Sequence, residues 1–301
     1  MTLTETDQQS PDAVHLPTLQ ELGRDLLHVS PLRRVTTIGL PFAIMISYAV
    51  FASLNWWFPA LLSVMALCFV TYGSSSHDLV HQTLGLSRRW NLFWLGLIEL
   101  LSLRSGTAYR LSHLHHHQHL LDASDVEGSA VYMSLLRTLL SGPTTQIRLW
   151  RWAWTNHQKH RPMLLLEATG ILSLICVAIF SVDHTLAPLI YAVLVICGSW
   201  IFPLITVYIP HIAEGRTPLT QTRLFRGAIY RFVAFDHLYH LEHHLYPAVP
   251  HHHWRHLAVR LDPFFARLGI QPVSRTSPPY EPAEPKHCTG RNSDDNRLGH
   301  R

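Results

Sequence analysis

Three short stretches of this chain gather histidines at helical spacing. His77-Asp-Leu-Val-His81 is an i, i+4 pair. His113-Leu-His-His-His117 carries His113, His116 and His117 at i, i+3 and i+4. Asp236-His-Leu-Tyr-His-Leu-Glu-His-His-Leu-Tyr-Pro247 repeats that triplet at His240, His243 and His244. On a helix, residues so spaced share one face, so each triplet aims its imidazoles at one point. Neutral imidazole is a strong ligand for zinc, copper, iron and nickel. The eight boxed histidines exceed what one four-coordinate ion takes, so a two-metal site is the economical reading. Spacing does not choose the metal.

Histidine is abundant, 23 of 301 residues, so an isolated pair also arises by chance. His115/His119 and His252/His256 are i, i+4 pairs, and His157/His160 is i, i+3. We read these as solvated or supporting histidines. His237, one turn before His240, is a closer case. His115 and His119 also leave a second register open within the middle box.

The elements that must position the boxes are apolar. Hydrophobic residues make up 48% of the chain and charged ones 15%. Low charge with long apolar runs predicts a multi-pass membrane protein. The net charge of +4 is mild. It fits basic loops beside a membrane, and no nucleic-acid partner is expected. Of four cysteines, Cys68, Cys176 and Cys197 lie in apolar runs and Cys288 in a polar tail, which suggests neither a zinc ribbon nor a disulfide framework.

Four crossings are predicted: Ile38 to Phe58, Phe58 to about Tyr72 and on through His81, Met163 to Val182, and Leu186 to about Val207. Run through to His81, the second is longer than a hydrocarbon core of about 30 Å, so His77 and His81 would emerge past the membrane face. Leu86 to Gly106 reads as an interfacial helix, Val131 to Leu140 as an amphipathic helix, and Trp150-Arg-Trp-Ala-Trp154 as an interfacial segment. A short amphipathic helix is expected over residues 19–30, a basic amphipathic stretch over Leu219 to Phe235, and a last surface helix over 253–270. The domain division is a polar N-terminal segment (1–30), a membrane domain (31–271) and a disordered polar tail (272–301), with disorder also expected over residues 1 to about 18.

Charge orients the crossings. The turns at 55–57 and 183–185 hold no Lys or Arg, whereas the 82–162 loop holds Arg88, Arg89, Arg104, Arg110, Arg137, Arg148, Arg151, Lys159 and Arg161. The positive-inside rule then places both termini and every box on the cytoplasmic side, the inner membrane if the source is bacterial. The expected fold is all-α and integral to the membrane: four transmembrane helices in two hairpins, interfacial helices, and a cytoplasmic cap holding the histidine cluster.

The order His-Asp-x-x-His, His-x-x-His-His about thirty residues on, and His-Leu-Glu-His-His-Leu-Tyr-Pro after two more crossings resembles the membrane fatty acid desaturase and hydroxylase superfamily, over roughly residues 35–265. The resemblance implies two irons held by His77, His81, His113, His116, His117, His240, His243 and His244. Structurally known acyl desaturases add a ligand after the last crossing, and His211, in Tyr208-Ile-Pro-His-Ile-Ala-Glu-Gly215, stands at that place. Where some of them carry an asparagine upstream of it, this chain reads Thr206-Val-Tyr-Ile-Pro210. The resemblance further implies O2 as co-substrate, hydrogen removal from an unactivated C–H bond of a lipid, and electrons from a separate carrier of ferredoxin or cytochrome b5 type with its reductase. Fatty acyl desaturation is the first choice, and hydroxylation or ketolation of a carotenoid ring the alternative. A divalent-metal transporter is a distant third, since it would place ionisable groups at mid-membrane. An intramembrane metalloprotease fits worse, since His77-Asp-Leu-Val-His81 has Asp where H-E-x-x-H has its general base.

Overall fold

The computed structural model describes residues 15–228, 230 and 234–273. Among these there is no β-strand, and every regular element is helical. The disorder expected before residue 15 and after residue 273 lies outside the described residues, as does Cys288. The helices are α1 (Leu19–Leu22), α2 (Pro31–Ser53), α3 (Trp57–Val70), α4 (Ser76–His81), α5 (Arg88–Leu101), α6 (Gly106–Gln118), α7 (Leu135–Asn156), α8 (Arg161–Phe180), α9 (Ala187–Gly198), α10 (Pro218–Gln221), α11 (His240–Leu245) and α12 (Trp254–Arg267).

Among the described residues, four stretches are long and apolar enough to cross a membrane: Pro31–Ser53, Trp57–His81, Gln158–Phe180 and Ala187–Tyr208. They correspond to the four expected crossings with shifted ends. The first begins earlier than hydropathy suggested because Ser30 caps it, accepting from the Arg33 amide at 3.2 Å, and Pro31 occupies the first turn. Arg33 and Arg34 therefore sit inside the helix. Helix α2 packs on α3, and α8 on α9. Apolar side chains face outward: Phe180 is 82% exposed, Leu32 74% and Phe58 71%. Water would penalise that much bare hydrocarbon surface, and lipid does not.

The Trp57–His81 stretch runs 25 residues, about 37 Å at 1.5 Å per residue. Its path includes a π-helical turn at Thr71–Ser75. A second π-helical turn, Phe202–Tyr208, follows α9. Such turns carry one extra residue and often sit at functional sites.

Two expectations change. Helix α7 is far longer than the predicted Val131 to Leu140 and absorbs the Trp150–Trp154 segment. Gly142 and Pro143 lie within it; a Cβ at Gly142 would run into the Trp200 backbone, so the glycine permits a close crossing. The predicted amphipathic stretch from Leu219 is helical only over Pro218–Gln221 before residue 222. There the chain pairs back on itself, with the Ile212 amide donating to Gln221 O at 2.8 Å and the Arg223 amide to Pro210 O at 2.7 Å. Those bonds compete with a helix and fasten the turn that carries His211.

The 253–270 helix is found as α12, and its inner face is buried. Leu257 and Leu261 of α12, Leu241 of α11 and Leu26 pack in one cluster, each 0% exposed. Burying each such side chain stabilises by roughly 1.5–3 kcal/mol. The expected helix over 19–30 appears as α1 and a 3-10 turn, Arg24–Leu27, and its Asp25 pairs with Arg260 of α12 at 2.6 Å. This layer braces α11, and with it the third histidine box.

Candidate metal centre

The nine histidines singled out in the sequence form two groups. His77, His81, His113, His117 and His243 make the first, and His116, His211, His240 and His244 the second. Within each group the ligand atoms lie within 4.8 Å of one another. Helix α4 supplies two imidazoles, α6 three, α11 three, and the turn after the Phe202–Tyr208 segment one. The i, i+3, i+4 triplets split between groups: His113 and His117 face one way and His116 the other, as do His243 against His240 and His244.

The Nε2 atoms converge. His77 lies 3.0 Å from His243, His113 3.1 Å from His77 and 3.0 Å from His81, and His243 2.8 Å from His117. In the second group His244 is 3.0 Å from His240 and 3.3 Å from His211. A metal–nitrogen bond of about 2.1 Å makes neighbouring donors about 3.0 Å apart when the bonds meet at right angles. The donor set therefore fits two metal ions. His116 adds a sharper sign, for its Nε2 is fully buried and has no hydrogen-bond partner. A proton there would lack an acceptor, whereas a cation would not lack a donor.

Carboxylates behind the rings set their orientation. Glu127 Oε1 lies 2.8 Å from His113 Nδ1, and Asp125 Oδ2 2.7 Å from His116 Nδ1, all four side chains buried. His211 Nδ1 donates to the Val207 carbonyl at 3.0 Å. With Nδ1 carrying the proton, Nε2 presents its lone pair to the centre. Asp125 is itself fixed by the Leu121 and Gly128 amides, at 3.0 and 2.9 Å. In the sequence Asp122, Asp125 and Glu127 form a short acidic patch just after the middle box. Their position shortly after the box was the available signal. Trp254 closes one side, its ring against His77 and His243 at centroid distances of 5.2 and 4.8 Å.

Electrostatics favours neutral donors. Burial, reinforced by neighbouring imidazoles, holds His117, His240, His243 and His244 well below the ordinary histidine pKa. Burial and His116 push His211 down to about 3. At His116 burial acts in the same direction but the Asp125 carboxylate outweighs it, and the net direction is up. Ligation requires the unprotonated ring, so most of the set is ready at neutral pH.

The remaining described histidines lie outside both groups. His115 and His119 stack at 4.0 Å, with His115 Nε2 3.0 Å from Ser124 Oγ, so the register assembled is 113, 116, 117. His157 and His160 follow α7. His252 lies against His253, ring centroids 4.1 Å apart and tilted. His237 is buried but rests on Gly73 rather than among the ligand atoms.

Comparison with known protein families gives a match over residues 54–275, to the family described as fatty acid desaturase. No curated protein matches at a significant level.

Proposed function

The chain belongs to the fatty acid desaturase family, and on that premise we propose that it is a di-iron membrane oxidoreductase that uses O2 to desaturate a fatty acyl chain. The observation that carries this reading is the convergence of nine Nε2 atoms, from segments far apart in sequence, into two adjoining groups. His77, His81, His113, His117 and His243 hold one iron, and His116, His211, His240 and His244 the other. When bound, the irons supply O2 activation strong enough to remove hydrogen from an unactivated C–H bond.

The chain's own residues do the rest. Glu127 and Asp125 keep Nδ1 of His113 and His116 protonated and the rings aimed inward. Uncharged donors leave the metals' positive charge uncompensated. Tyr72, Tyr109, Phe202 and Trp254 wall the site and exclude water. The protein's task is to aim one carbon of the substrate at the metals.

The distribution of charge supports two helical hairpins with the site and both termini on the cytoplasmic side. The connections at 54–56 and 181–186 carry no Lys or Arg, and the loop between the hairpins is rich in Arg. Electrons come from a separate carrier of ferredoxin or cytochrome b5 type.

The deciding experiment is expression in a host offering both acyl lipids and β-carotene, with mass spectrometry of each pool. Loss of two hydrogens from an acyl chain is the expected result. Oxygen gained by the carotenoid, with acyl lipids unchanged, replaces this reading by carotenoid hydroxylation or ketolation.

A further inference from the structure

The chamber in front of the histidines is too small for a substrate as it stands. Tyr72, Tyr109, Phe202, Thr206 and His237 are among its walls, and it offers about 10 Å³, room for about one water. On the far side of His237 lies a cleft of about 310 Å³ that opens outward. His237 lines both. The cleft carries a cation at Arg33 and carboxylates at Asp78 and Asp236, and its apolar lining is Leu40, Phe69, Val70 and Phe235. Arg33, at the foot of α2, offers a cation to the polar end of an amphiphile, and the four apolar side chains offer its chain a surface to lie on.

The His237 ring lies across Gly73, in the π-helical turn. A methyl group at position 73 would fall inside the ring, so the ring can lie there only because residue 73 has no side chain. The ring, 3% exposed, has Nδ1 3.1 Å from the Phe235 carbonyl and an Nε2 with no hydrogen-bond partner, and it packs against Phe69 and His251. The two preceding residues, Phe235 and Asp236, both hold left-handed backbone, at φ 48° and 65°. Side chains with a Cβ adopt that conformation at a cost.

We propose that the His237 imidazole is a movable stopper between cleft and chamber, and that an unbranched acyl chain reaches the metals by displacing it over Gly73 while its polar end stays beside Arg33. The inference rests on the acyl-lipid reading above. A slender polymethylene chain passes where one imidazole has moved aside, and a methyl-substituted carotenoid ring is too broad.

The test is photolabelling of the intact, metal-bound protein, without an electron donor, by a palmitic acid with a terminal diazirine. Peptide mass spectrometry locates the label. Leu40, Phe69 and Val70 are expected to label in wild type and variants alike. Tyr72, Phe202 and Thr206 are expected to label several-fold faster in His237→Ala than in wild type. In His237→Phe, which restores bulk without the nitrogens, they should label at the wild-type rate or slower. Equal chamber labelling in wild type and His237→Ala overturns the stopper. Chamber labelling without cleft labelling overturns the route, and equal labelling by a diazirine-bearing carotenoid overturns selection by width. Iron content, measured on the same samples, judges the parent reading separately: protein without iron that still shows the His237→Ala difference sinks the di-iron function and leaves the stopper standing.

Discussion

Asp125 Oδ2 meets His116 Nδ1 at 2.7 Å with both side chains fully buried, and His116 is the one imidazole of the second group that α6 contributes. The pairing reaches the metal through the ring. Asp125→Asn keeps the shape but removes the charge that favours a proton on Nδ1. Such supporting partners typically account for 10- to 100-fold in metal affinity. A loss of about that size is expected for Asp125→Asn, and for Glu127→Gln in the first group. Titration of the stripped protein with ferrous ion checks both, and affinities within twofold of wild type would remove the carboxylates from the centre.

The two groups separate the histidines that matter from those that merely share their spacing. His243→Ala and His244→Ala each remove one donor from a different group, so each is expected to abolish turnover and lower bound iron. His252→Ala is expected to leave iron content intact. Elemental analysis of the three purified variants decides.

The middle box offers a test of register. His115 and His119 stack on each other away from both groups. Replacing both by Ala is expected to preserve iron content, whereas His113→Ala or His117→Ala lowers it. The opposite pattern would require α6 to be turned about its axis.

Metal removal should reach beyond activity. Without ions the nine lone pairs face one another, and ligand binding to the folded state alone stabilises by about 2.7 kcal/mol at a hundredfold excess over Kd. Chelation is therefore expected to lower the thermal midpoint by several degrees. Restored iron should return it, and His243→Ala should show a smaller chelator effect.

Behind the first box, Arg104 pairs with Glu99 at 2.8 Å, both nearly inaccessible, and Glu99 also accepts from Ser76, next to His77. The guanidinium stacks over Tyr72 at 3.9 Å. Removing one partner of a buried pair costs about 3–5 kcal/mol because the other charge is stranded. Glu99→Gln should destabilise by that order in chemical denaturation, more than Arg104→Met with Glu99→Gln combined.

The sequence made the donors legible because helical spacing is a local rule. His77 and His81, or His240, His243 and His244, announce a shared face without any knowledge of the fold. The apolar crossings were legible for the same reason. What lay hidden depends on pairing between distant segments. Nothing local says that Asp125 stands behind His116, that residues 221–223 fold back along 210–212 instead of starting a helix, or that His237 turns toward Gly73. Helix α7 runs on through Gly142-Pro143, and only the neighbouring Trp200 backbone explains the glycine.

The two π-helical turns, Thr71–Ser75 and Phe202–Tyr208, lie a few residues upstream of His77 and His211. Each acts as a spacer one residue thick. Deleting a single residue from either would rotate everything downstream by about 100°, the angular step of an ordinary helix, and would swing the next imidazole off its target while leaving the hydropathy of the segment almost unchanged. In these two places the protein should tolerate exchange of residue type far better than a change in residue number.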